Sequence, residues 1–175
     1  MIIYQNRLRR SFEDYSDNLD LLYFNESLQR KKTAFFCHSH KDKDLVLGLR
    51  TIFHQEGIEL YIDWTDQTMP DTPNKETAIK LQKRIEKADI FFYLVTENSM
   101  KSTWCPWEIG YADAIHQDIY VIPTTTDGNS VFGNEYLKLY KTIQTYGVSD
   151  YQISFPDERH SIILNDSNLQ ESRNG

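Results

Sequence analysis

An open α/β fold built on a mainly parallel central sheet is the architecture this sequence predicts. Three observations carry it. Short apolar runs without strict alternation occur at Thr33–His38, Ile90–Val95 and Ile119–Ile122. Strands that are apolar on both faces are covered on both faces, which favours parallel pairing. Amphipathic stretches of helical period lie between the runs. The strand–helix alternation extends over about 125 residues and calls for right-handed crossovers.

Each element has its own justification in chain order. Residues 1–32 read as a helical extension, because Leu8, Phe12, Tyr15, Leu19 and Leu22 recur at three- and four-residue steps. Packing on the main domain and self-association are the two uses open to such a stripe. Thr33–His38 is the first strand. Leu45, Val46, Leu49, Ile52 and Phe53 form the next helix, which Gly57 is placed to end. Ile58–Ile62 is a second strand, partly alternating. The segment 63–74 is a long loop holding Trp64, Met69, Pro70 and Pro73. Loops of this kind are lids or contact surfaces, or else plain surface loops with an aromatic tucked beneath.

Lys75–Lys87 carries Ala78, Ile79, Leu81 and Ile85 on a second helix. Ile90–Val95 is the third strand. Trp104, Glu108, Ala112 and Ile115 share a face of a third helix. Ile119–Ile122, stopped by Pro123, is the fourth strand. Tyr136, Leu139, Tyr140 and Ile143 predict a further helix, and Tyr151–Phe155 a fifth strand. The expected division is a helical extension at 1–32, one domain at 33–160 and a polar tail at 161–175.

Composition narrows the class of function. The 175 residues suffice for one well-cored domain and a small extension, and not for two ordinary enzyme domains. Eleven Tyr and nine Phe argue for a packed core, since disordered chains are poor in aromatics. A net charge of −7 repels phosphate backbones and argues against a nucleic-acid binder. The longest apolar run, Ile90–Val95, is far short of the roughly 20 residues a bilayer span needs, so no membrane partner is expected. The first ten residues carry charges and no apolar stretch, which is unlike a secretory signal. Cys37 and Cys105 are the whole cysteine complement, without CxxC or zinc spacing. No disulfide scaffold and no metal site are expected, and a reduced cytoplasm is the expected setting.

The least ordinary segment is Ser99-Met-Lys-Ser-Thr-Trp-Cys-Pro-Trp-Glu108. Ser102 or Thr103 is placed to cap the helix, and Pro106 is tolerated in a first turn. Glu108 lies one turn beyond Trp104 on an otherwise apolar stripe. A carboxylate there is either a catalytic group with a raised pKa or an acid that complements the helix dipole. Cys105 at the same helix start, with His38 across adjacent loops, offers a thiol-nucleophile alternative; a packed cysteine is the plainer reading. GxGxxG, GxxxxGK[ST] and GxSxG are absent. Asp42, Asp44, Asp63, Asp66 and Asp71 could suggest a receiver-like phosphoacceptor or Mg²⁺ site, but no acidic pair follows the first strand, and solvated loop and cap acids are the plainer reading.

The sequence resembles the Toll/interleukin receptor (TIR) domain family. Ala34-Phe-Phe-Cys-His-Ser-His-Lys-Asp-Lys43 is similar to the family's opening strand and loop. Ile58–Trp64 is similar to its second strand, Ser99–Glu108 to its Trp-Cys-x-x-Glu segment, and Ile119–Pro123 to its fourth strand. The resemblance covers about Thr33 to Tyr151. Two departures are plain: Cys37 replaces the common Ser, and Met69-Pro70-Asp71 replaces the usual Pro-Gly of the long loop.

The resemblance implies a flavodoxin-like three-layer sandwich with about five parallel strands. It also implies NAD⁺ cleavage in the manner of many bacterial and plant members, with Glu108 as the catalytic glutamate and NAD⁺ as substrate rather than cofactor. Phe36, Cys37, His38, Asp63, Trp64, Trp104 and Cys105 are the substrate-binding residues expected around Glu108. A small TIR protein with a short helical extension further resembles bacterial antiphage components of the Thoeris type. Those make a cyclic ADP-ribose-type signal sensed by a separate effector protein. Self-association, a non-enzymatic scaffold and an NAD⁺-depleting virulence effector are the other modes the family offers.

Overall fold

In the computed structural model the described residues are 2–16, 32–56, 58–66, 74–115, 118–128, 131–133, 135–146, 150–154 and 161–163. The chain opens with β1 (Ile3–Tyr4), which runs directly into α1 (Gln5–Ser16). β2 (Lys32–Cys37) follows, then a 3₁₀ turn at His40–Asp42 and α2 (Lys43–Gln55). β3 (Ile58–Tyr61), a 3₁₀ turn at Asp63–Thr65 and α3 (Lys75–Lys87) lead to β4 (Ile90–Val95). The short α4 (Glu97–Met100) and then α5 (Trp104–Ile115) connect β4 to β5 (Ile119–Thr125). A 3₁₀ turn at Glu135–Leu139 precedes β6 (Lys141–Tyr146), β7 (Asp150–Ser154) and β8 (Ser161–Ile163).

The sheet order is β3-β2-β4-β5-β6-β7-β8, with β1 paired to β5. The strands from β3 to β6 are parallel, and β7 and β8 add an antiparallel edge. Side chains alternate along each strand, so one strand feeds two cores. Along β4, Ile90, Phe92 and Leu94 enter the core shared with Leu45, Leu49 and Phe53 of α2. Phe91, Tyr93 and Val95 enter the opposite core, with Leu81 and Ile85 of α3 and Ile109 and Ala112 of α5. Helices therefore cover both faces of the sheet, the three-layer arrangement expected.

The N-terminal segment is part of this packing. Ile3 and Leu8 are fully buried and share the core of Phe92 and Tyr120. Ile3 pairs with Thr124 of β5, and the Gln5 amide donates to the Thr124 hydroxyl at 3.0 Å. α1 crosses α2 so closely that a Cβ at Gly48 would lie 2.1 Å from the Leu8 carbonyl oxygen. Leu19 and Leu22 of the expected stripe, and the side chains of Phe12 and Tyr15, lie outside the described residues.

Several expectations are corrected. The helix expected over Tyr136–Ile143 is a short 3₁₀ turn that gives way to β6, with Ile143 on the strand. Tyr136 and Leu139 face solvent, while Leu137 and Ile143 are the buried residues. Lys-Thr-Ile-Gln-Thr-Tyr also satisfies a two-residue period with β-branched residues inside, and the open side of β5 supplies the pairing partner. The fifth parallel strand is thus β6. The strand expected at Tyr151–Phe155 is β7, which pairs antiparallel. Ile115, placed on the buried stripe by its spacing, is exposed at the end of α5. Ser161–Ile163, expected to open the tail, form β8. Gly57, His116, residues 67–73 and residues 164–175 lie outside the described residues. Among those described, no helix is long and apolar enough to cross a membrane.

Candidate active site

The carboxyl ends of parallel strands are where open α/β sheets place their ligands. Here β2 ends at Cys37 and passes through His38 and Ser39 into the His40–Asp42 turn. β3 ends next to it and leads to Asp63 and Trp64. The start of α5 is brought to the same edge. The Ser102 hydroxyl accepts from the backbone N–H groups of Trp104 at 3.2 Å and Cys105 at 3.3 Å, which caps the helix. Pro106 then occupies the first turn, where the N–H it lacks has no partner to lose. This start directs Cys105, Glu108, Ile109 and Ala112 inward.

Glu108 is buried and meets the end of β2. The Cys37 and Cys105 sulfurs and a Glu108 carboxylate oxygen lie within 4.8 Å of one another. Burial pushes the Glu108 carboxyl up to about 7, against a hydrogen bond from the Cys37 thiol; the Asp63 charge raises it further and His40 opposes. The even choice left by spacing is thereby narrowed. This acid is not at the solvated rim where a dipole-complementing carboxylate would sit. Burial holds the Cys37 thiol well above its ordinary value, with neighbouring Cys105 and the Glu108 charge raising it further, so it stays protonated.

A second cluster stands beside the first. His38, His40 and Asp63 present donor atoms within 4.8 Å of one another. The His40 Nε2–H donates to Asp63 Oδ2 at 2.7 Å. The Trp64 backbone N–H donates to Asp63 Oδ1 at 2.8 Å. His38 donates from Nδ1 to the Phe36 carbonyl at 2.6 Å, which leaves its Nε2 3.4 Å from Asp63 Oδ1. Burial holds the His38 imidazole below its ordinary pKa despite the neighbouring Asp63 charge, so at neutral pH that contact is not an ion pair. His40 is raised, chiefly by its bond to Asp63. Burial raises Asp63, but the His40 bond and the electrostatics of the neighbouring imidazoles bring it net below its ordinary value. Trp64 meets the His38 ring edge-on at 4.5 Å, and the Lys43 ammonium lies 5.6 Å from the Trp64 ring centroid.

Of the residues expected at the site, Cys37, Cys105 and Glu108 converge, and so do His38, Asp63 and Trp64. Phe36 is a buried core residue whose ring stacks on His38 at 5.5 Å. Trp104 is partly buried and packs edge-on against Trp107 at 5.5 Å. The thiol-nucleophile alternative finds no support, because the Cys105 thiol points at the His38 carbonyl, 3.3 Å away, and not at its ring.

Sequence reasoning missed His40, although the His38-x-His40 spacing was visible. It also missed Asp42, read as a solvated acid. Asp42 is buried and accepts from the Thr96 hydroxyl and the Asn98 amide, both at 2.6 Å. Thr96 and Ser99 form a reciprocal capping box on α4, a T-x-x-S signal readable in the sequence. Asp66 is likewise not solvated, accepting from Tyr61 and Arg84.

Known proteins match about two thirds of this chain or slightly more. One relative, from Bacillus cereus (strain MSX-D12), carries the provisional name 3′ cyclic ADP-D-ribose synthase ThsB′. It is 34% identical over 126 residues, covering 70% of this chain and 65% of that protein. A second, from Cytobacillus dafuensis, carries the provisional name cyclic ADP-D-ribose synthase TIR2. It is 30% identical over 122 residues, covering 66% of this chain and 32% of that protein. The chain thus spans less than two thirds of the length of either. The family model for the TIR domain matches residues 35–158. That match starts inside β2 and runs past β7, taking in every strand between and both residue clusters, and this chain belongs to the TIR domain family.

Proposed function

We propose that this protein cleaves the nicotinamide–ribose bond of NAD⁺ and closes the product into a cyclic ADP-ribose-type nucleotide, with Glu108 as the catalytic carboxylate. The names of its relatives support the product class. The observation that carries the reading is Glu108 itself: a buried carboxyl that titrates near 7, held by a thiol at the ends of the parallel strands. Nicotinamide leaves as a neutral base, so the developing charge is the positive oxocarbenium on the ribose. An ionised carboxylate beside the anomeric carbon stabilises that charge. The bond breaks without a Lewis acid, and neither a metal nor a further cofactor is required by this route.

His38, Asp63, Trp64 and Trp104 are the groups proposed to border the substrate. Phe36 and Cys105 hold His38 through the stacking and hydrogen bonds described, and the Cys37 thiol holds Glu108. Exclusion of water favours capture of the oxocarbenium by a group of the same molecule, which gives a cyclic product. In this reading the nucleotide is a cytoplasmic antiphage signal received by a separate effector protein.

The test is incubation of purified protein with NAD⁺, with chromatography for nicotinamide and mass spectrometry for the nucleotide. Nicotinamide release with a product one water lighter than ADP-ribose is expected. Linear ADP-ribose alone would replace the cyclase with a hydrolase. No turnover at high protein concentration, with or without phage lysate, sinks the enzymatic reading in favour of a scaffold.

A further inference from the structure

We propose that His38, His40 and Asp63 form a binding site for a divalent transition metal of zinc type. The site goes beyond the NAD⁺ reaction and does not depend on it. The first observation is geometric. Two imidazole nitrogens and a carboxylate oxygen lie within 4.8 Å of one another; His40 Nε2 is 2.7 Å from one Asp63 oxygen, and His38 Nε2 is 3.4 Å from the other. A tetrahedral zinc ion with ligands at about 2.0–2.2 Å needs donors roughly 3.3 Å apart, so small side-chain shifts suffice.

The second observation is independent of that spacing. His38 Nε2 is buried and has no hydrogen-bond partner among the described residues. An unpaired buried polar atom costs free energy and calls for an explanation. The Phe36 carbonyl only accepts, so Nδ1 carries the ring proton and Nε2 presents its lone pair toward Asp63. A metal-binding histidine commonly has this arrangement, with its other ring nitrogen donating to a carbonyl.

Access also favours this cluster over the thiol cluster next door. His40 is largely exposed and Asp63 partly so, whereas Cys37, Cys105 and Glu108 are all buried. Binding would replace the His40 Nε2–H···Asp63 bond, the imidazole proton moving to Nδ1 or to solvent. Three protein ligands would leave one position of the ion for water or an oxygen ligand. The sequence hid the site because Asp63 lies 23 residues from His40.

The experiment is calorimetric titration of the tag-free, chelator-treated protein with Zn²⁺ in the absence of NAD⁺, together with Co²⁺ absorption spectroscopy. One equivalent is expected to bind, with Co²⁺ bands of a four-coordinate nitrogen–oxygen site and no thiolate charge-transfer band. His40→Ala, at an exposed position, and Asp63→Asn should each weaken binding at least tenfold while circular dichroism stays unchanged. Cys105→Ala should bind as the parent does. Absence of saturable binding overturns the site. So does binding that survives His40→Ala, or a thiolate band that disappears in Cys105→Ala. Because binding is read without NAD⁺, its failure is distinguishable from failure of the proposed reaction.

Discussion

Glu108 is held where its charge is unfavourable, and that has consequences for pH. Its folded carboxyl titrates at about 7 against an ordinary value of 4.5, because burial outweighs the Cys37 hydrogen bond. A raised carboxyl binds its proton more tightly in the fold. Its contribution to stability is therefore greatest below pH 4.5 and is lost as pH rises to 7. The loss is on the order of 3 kcal/mol. Glu108→Gln carries no charge, so its Tm should exceed that of the parent at pH 8 and match it near pH 4.5 in thermal scans. The same substitution should lower NAD⁺ turnover by about 100-fold or more, since the carboxylate acts on the transition-state charge. In the parent, turnover should climb as pH rises through about 7 and the carboxylate forms. A flat initial-rate profile from pH 6 to 8 would count against that role. The sequence brought Glu108 only to an even choice by spacing. The family resemblance tilted it toward catalysis, and the burial and thiol contact came from packing.

At the scale of elements, short loops are fastened to one another at the sheet edge. Asp42 joins the turn after β2 to the start of α4 through Thr96 and Asn98. Asp42→Ala strands two donors, and the protein should lose about 1–3 kcal/mol in urea denaturation. Ser102→Ala removes the cap that directs Glu108 inward and should cost about 1 kcal/mol. Its effect on turnover should exceed that of a cap lost elsewhere, such as Asn74→Ala on α3, and parallel assays of the two variants check this. Element identity was legible where one period dominated. Lys75–Lys87 is a helix over the residues its stripe indicated. It was not legible over residues 136–143, where the same apolar residues fit two periods and the open side of β5 settled the matter.

Over the whole molecule, the N-terminal helix is bound into the sheet by Ile3, Gln5 and Leu8. Gly48→Ala tests this coupling directly. Its new methyl would sit 2.1 Å from the Leu8 backbone oxygen, which cannot rotate away. About 1–3 kcal/mol of destabilisation is expected in chemical denaturation, as for other overpacked contacts. An unchanged midpoint would show that α1 does not dock on α2. By itself the sequence determined the strand–helix alternation and the parallel centre of the sheet. Those follow from local periodicity and from strands apolar on both faces, which every residue of an element repeats. Only the tertiary structure decided that β6, and not β7, is the fifth parallel strand, that Asp42 is a buried latch, and that His40 joins His38 and Asp63. Each of those depends on partners more than 20 residues away, and hydrogen-bond geometry between distant segments leaves no periodic trace in the chain.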